Sequence, residues 1–170
     1  MSHTWLLAAI AVVVSVTPAS IAVEAFASAR STTLFAASEL HAQTSPVTPS
    51  DSVVAAAVKT RGLVLADWIK PARLAGDFDG DGKTDVALLV ANAKSKKRGV
   101  LIVHGGRRAA AVAGAGINFG NGGDDFEWAN HWTVAKRKGK PDALLVEREE
   151  SGGGLVEFVA GKYRWRQHGD

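Results

Sequence analysis

Between Asp77 and Asp85 the chain sets a carboxylate at alternate positions and then bends. Asp77, Asp79 and Asp81 alternate with Phe78 and Gly80, and Gly82, Lys83 and Thr84 lead on to Asp85. A hard divalent cation takes six to eight oxygens at about 2.3–2.6 Å, and alternate residues of a tight loop can turn that many oxygens inward. Asp77, Asp79, Asp81 and Asp85 would supply side-chain oxygens and the backbone carbonyl of Lys83 another, with the Lys83 side chain pointing outward. Gly82 would take the sharp conformation that a Cβ resists. Ca2+ suits such a set; the competing reading is a solvated turn rich in Gly and Asp. Four carboxylates gathered without an ion repel one another, so binding is expected to stiffen the domain, at the loose affinity of extracellular modules.

Other chemistry is largely excluded. With no cysteine there are no disulfides, thiolate metal sites or cysteine nucleophiles. Neither a Gly-x-Ser-x-Gly elbow nor a His-Glu-x-x-His helix is present, so no catalytic centre is expected. His104 and His131 could approach acids after folding, but scattered histidines on β structure are usually structural, and Glu147, Glu149 and Glu150 read as exposed turn charges. The Gly- and Asn-rich stretch 114–125, ending at Asp124 and Asp125, is either a ligand loop or a solvated turn. Trp128 and Trp132, on either side of His131, read as packing between sheets. Basic residues cluster at Lys94, Lys96, Lys97 and Arg98 and again at Lys136, Arg137, Lys138 and Lys140. Either they meet an anionic partner, or they are solvated charges that block aggregation. The formal net charge of +3 is too small to force a nucleic-acid partner, and no nucleic-acid motif accompanies it.

The elements that must position the acidic loop follow from the patterning of the rest. The chain, at 170 residues, is long enough for one domain with a modest core. Residues 5–16 are apolar except for Ser15, then come Pro18 and a zone of Ala and Ser. This is the shape of a signal peptide, too short for the roughly 20 residues of a permanent membrane anchor. Cleavage is expected near residue 27, at Ala25-Phe26-Ala27, with Ala27-Ser28-Ala29 and a cut after Ala42 as alternatives. The segment Met1-Ser2-His3-Thr4 lacks the usual Lys or Arg, which leaves a buried helix of a cytosolic protein as the competing reading. Residues 28–50 read as a flexible linker, and 51–170 as a single β-rich domain.

Ser50 or Asp51 can cap a short helix through Val53, Val54, Ala57 and Val58 that stops at Gly62. Beyond it, apolar runs at 63–69, 86–90, 100–103, 133–135, 143–146, 155–159 and 163–166 are punctuated by Gly, Pro and Asp and read as strands. Val86-Ala87-Leu88-Leu89-Val90 does not alternate, so both its faces should be covered. Tyr163, Trp165 and Gln167 alternate with Arg164 and Arg166, as in a half-exposed strand. Residues 82–90 overlay 139–147, and the stretch beginning Gly99-Val100-Leu101 overlays that beginning Gly154-Leu155-Val156. Two copies of one β unit are implied, at about 72–113 and 132–168.

In its acidic loop the chain resembles the FG-GAP or VCBS repeat family, whose units carry an Asp-x-Asp-x-Asp-Gly-x-x-Asp calcium loop opening a strand, as in integrin-type propellers. Residues 76–87 match that pattern. The resemblance implies Ca2+ held by Asp77, Asp79, Asp81, the Lys83 carbonyl and Asp85, with β-blade structure around it. It covers one clear unit and one degenerate unit, which keeps only Asp142 of the loop and is not expected to bind calcium. An EF-hand is excluded because its twelfth position, which must be acidic, is Leu88. Two units are too few to close a propeller. The expectation is therefore a mostly β fold of two propeller-blade-like antiparallel units packed as a small layered domain, with a short helix before them. The expected role is an exported calcium-binding module, periplasmic or secreted, that meets an envelope or extracellular protein or glycan; a hydrolase or hydrolase inhibitor acting on envelope polymers is the alternative.

Overall fold

The computed structural model describes residues 48–169; the expected leader and most of the linker lie outside the described residues. Helix α1 (Asp51–Thr60) starts where its cap is: the Ser50 hydroxyl accepts the Val53 N–H at 3.4 Å. Asp51 in the first turn and Lys59 in the last complement the helix dipole, and Gly62 turns the chain at φ +63°. The described residues contain no helix long and apolar enough to cross a membrane.

Apart from a short 3-10 helix at Gly120–Gly122, the regular structure after α1 is antiparallel β, in two sheets. The first contains β1 (Leu63–Leu65), β2 (Arg73–Gly76), β3 (Asp85–Asn92), β4 (Arg98–Val103) and β5 (Ala111–Gly114). The second is the meander β6 (His131–Ala135), β7 (Ala143–Arg148), β8 (Gly152–Val159) and β9 (Lys162–His168). In the first sheet β1 and β2 lie end to end along one side of β3, so the sheet is four strands wide, like its partner. The strand expected over 63–69 therefore stops at Leu65. Ala66 N–H still reaches Leu89 O and Ala72 O receives Leu89 N–H, but between them the chain loops outward through Pro71, which has no N–H for a ladder. The loop drops Ile69 into the core.

The two units correspond strand for strand: β2 to β5 match β6 to β9, as the overlay of 82–90 on 139–147 implies. One core lies between the sheets, built from Phe78, Ala87, Leu89, Val100 and Ile102 of the first unit against Phe126, Trp132, Leu144, Val146 and Val156. Trp132, fully buried, also donates its Nε1–H to Pro71 O at 2.7 Å. A second cluster, Val54 with Leu63, Val86, Leu88, Val90 and Leu101, fills the opposite face of the first sheet under α1. This explains the unbroken apolar run in β3, which is covered on both sides. In β9, by contrast, Tyr163 and Trp165 turn inward while Lys162, Arg164 and Arg166 face solvent. Gly154 of β8 has no side chain because the Trp165 indole lies across it.

Candidate metal centre

The acidic loop joins β2 to β3, two strands paired through Gly76 and Asp85, so residues 77–84 form the connection of a closed hairpin. Gly80 and Gly82 sit at φ +78° and +79°, which only glycine adopts without strain. The loop's own amides fix its carboxylates. Asp77 accepts N–H groups from Gly80 at 2.7 Å and Gly82 at 3.0 Å, Asp79 accepts from Asp81 at 3.2 Å, and Asp81 accepts from Lys83 at 2.9 Å. As a result Asp77, Asp79 and Asp81 each bring an oxygen within 4.8 Å of the other two. The Lys83 side chain is half exposed, its Nζ 3.6 Å from Asp81.

Asp85 belongs to a different grouping. It is fully buried and gives both oxygens to backbone amides, of Phe78 and of Gly105, each at 2.9 Å. These bonds clamp the loop onto the end of β4. The pairing Val86 with Val103, continued by one residue, sets Asp85 beside His104. His104 Nδ1 lies 3.1 Å from Asp85 and 3.6 Å from Asp79. Asp79, Asp85 and His104 therefore make a second set of donor atoms within 4.8 Å, overlapping the first at Asp79. The four aspartates that form one series in the sequence thus fall into two groups.

Around this second set the surroundings are polar and closed. Arg108 donates from Nε to Asp79 at 2.8 Å, its guanidinium resting 4.5 Å from the centre of the Phe158 ring. Tyr163 stacks on His104 with centroids 5.8 Å apart, and its hydroxyl is buried without a hydrogen-bond partner. Burial pushes the Tyr163 hydroxyl pKa up, and the charges of Asp85 and Asp79 push it further.

The second unit reaches this site through Asp142, which stands where Asp85 does in the first. Its carboxylate accepts the Asp77 N–H at 2.9 Å and pairs with Lys136 at 2.6 Å, while its own N–H donates to Asp77 O at 2.8 Å. Pro141 sits so close that a Cβ on Gly80 would come within 2.8 Å of it. A surface cleft of about 330 Å³ runs between the loop and residues 139–141.

Several of the remaining candidates make internal contacts. Asp124 pairs with Lys97, and Asp125 accepts the Arg98 and Glu127 amides, so the acids of the 114–125 stretch anchor the start of β4. Arg98 also lies 5.4 Å from the Trp68 ring centre. Arg137 pairs with Glu157, as does Arg166 at 3.2 Å. His131 meets Glu147 at 2.8 Å across β6 and β7. Trp128 and Trp132 both pack in the core. Sequence reasoning set aside His104 and did not single out Arg108 or Tyr163; the one available signal was the hairpin register that places His104 opposite Asp85. No protein-family model matches the chain, and neither a curated protein nor a solved structure matches it.

Proposed function

We propose that this chain is an exported calcium-binding β-repeat module of the FG-GAP/VCBS kind, which acts by binding an envelope or extracellular protein or glycan and not by catalysis. The observation that carries the reading is the convergence of Asp77, Asp79 and Asp81 to within 4.8 Å in a glycine-bent strand connection. Oxygen donors alone, on a loop with a fixed backbone, suit a hard cation. Ca2+ there would screen the mutual repulsion of the three carboxylates and tie the loop to both units, since Asp77 is already bonded to Asp142.

The ion's role is structural. Anything that binds the folded state alone stabilises it, by about 2.7 kcal/mol at a hundred times its Kd. In a thermal melt of chelator-treated protein, added CaCl2 should raise Tm, and Asp77→Asn with Asp81→Asn should abolish the rise. No rise for the unaltered protein at any millimolar concentration defeats the reading.

A further inference from the structure

We propose that Asp79, Asp85 and His104 form a second metal site, buried between the sheets and selective for a borderline divalent cation of the Zn2+ class. Its donors are one imidazole nitrogen and two carboxylate oxygens, a mixed set that Zn2+ accepts and that Ca2+ and Mg2+, which take oxygen ligands, do not favour.

The geometry is the reason. The His104 side chain is wholly buried, and among the described residues neither ring nitrogen has a hydrogen-bond partner. Such orphaned groups are uncommon in folded proteins and call for an explanation. Nδ1 is close to both acids, 3.1 Å from Asp85 Oδ2 and 3.6 Å from Asp79 Oδ2, yet makes a hydrogen bond to neither. Two donors bound at about 2.1 Å to one tetrahedral ion stand roughly 3.4 Å apart, and the two separations bracket that figure. The nitrogen thus lies at ligand-to-ligand distance from both carboxylates, as it would around a shared ion.

The outer contacts agree. The Phe78 N–H holds Asp85 and the Arg108 guanidinium holds Asp79, and such partners orient metal-binding carboxylates. Tyr163 lies flat against the imidazole. Three protein donors would leave a fourth position of a tetrahedral ion for water.

The two sets share Asp79 and differ in the rest, His104 and Asp85 belonging to one and Asp77 and Asp81 to the other. The test uses the full chain, stripped with chelator and titrated calorimetrically with ZnCl2 in saturating calcium. One zinc per chain is expected. His104→Gln should weaken it by more than the ~10- to 100-fold typical of losing an outer partner, while the calcium-induced rise in Tm survives. Asp81→Asn should do the reverse, leaving zinc affinity within about twofold and losing the calcium response. Zinc affinity unchanged in His104→Gln overturns the proposal, as does absence of zinc binding by the unaltered chain. Should His104→Gln not fold, X-ray absorption on the zinc-loaded unaltered chain decides: an imidazole scatterer with oxygens supports the site, and an oxygen-only shell overturns it. Loss of the calcium response alone would count against the proposed function and not against this site.

Discussion

Replacing Asp85 with alanine tests whether the acidic loop is held by its protein contacts even before an ion arrives. The substitution strips acceptors from two backbone amides, Phe78 N–H, which is buried, and Gly105 N–H, which is partly so. A hydrogen bond to a charged acceptor contributes about 1.5–3 kcal/mol, and a buried donor left unpaired costs about 1–3 kcal/mol. Against these losses stands relief of the repulsion between Asp85 and Asp79 and of the burial of a carboxylate. The balance comes to a loss of about 3 kcal/mol, a large share of the roughly 5–15 kcal/mol that holds a domain together. Urea unfolding followed by tryptophan fluorescence, in chelator so that no metal contributes, measures it, and the slope with urea should not change. Asp85→Asn keeps the shape and one acceptor oxygen but turns an NH2 toward an amide donor, so about half the loss is expected. If Asp85→Ala falls within about 0.5 kcal/mol of the unaltered protein, relief of carboxylate repulsion and burial offsets the amide clamp, and the reasoning fails.

Four further outcomes follow from the same contacts. Gly80→Ala should lose about 1–2 kcal/mol from its φ of +78° and more from the encounter with Pro141, and pairing it with Pro141→Ala should recover only the second part in thermal melts. Trp132→Ala, which empties the largest fully buried side chain and frees Pro71 O, should cost about 3–5 kcal/mol in the same urea assay. The only tyrosine of the chain, Tyr163, has its pKa raised in the folded state, so its contribution is complete below its ordinary 10.0 and disappears as pH climbs beyond it. Absorbance at 295 nm should therefore show no ionisation at pH 10 until the protein unfolds, and Tyr163→Phe should flatten the alkaline decline in stability. Asp142→Ala should reduce the calcium-induced rise in Tm although Asp142 lies outside the loop, because it releases Asp77 N–H.

The long strands and the helix were legible because their signals are local. Ser50 caps α1 and Gly62 ends it, and the unbroken run at 86–90 announced a strand covered on both faces. The short edge strands were not. β2 and β5 have four residues each, Arg73-Leu74-Ala75-Gly76 and Ala111-Val112-Ala113-Gly114, and alanine and glycine carry little strand preference; pairing with β3 and β4 forms them. The connection between β2 and β3 was readable from the alternation of acids, yet its division into two groups was not. Which aspartate faces which neighbour depends on Gly105 and His104 arriving at the end of β4, and on Asp142 arriving from the other unit. Those meetings span 19 positions, from Asp85 to His104, to 65, from Asp77 to Asp142, and no local pattern encodes them.

The break in the outer margin of the first sheet bears on how open sheets avoid pairing with one another. Sheets that do not close on themselves leave open margins, and a long uncharged margin invites a neighbour's strand to zip onto it. Here one margin is cut in two by the outward detour through Pro71, the opposite one is a four-residue strand ending in glycine, and β9 presents Lys162, Arg164 and Arg166 to any approaching chain. Restoring a continuous, neutral margin by straightening residues 66–72 or by removing those three charges would expose this fold to runaway strand-to-strand polymerisation.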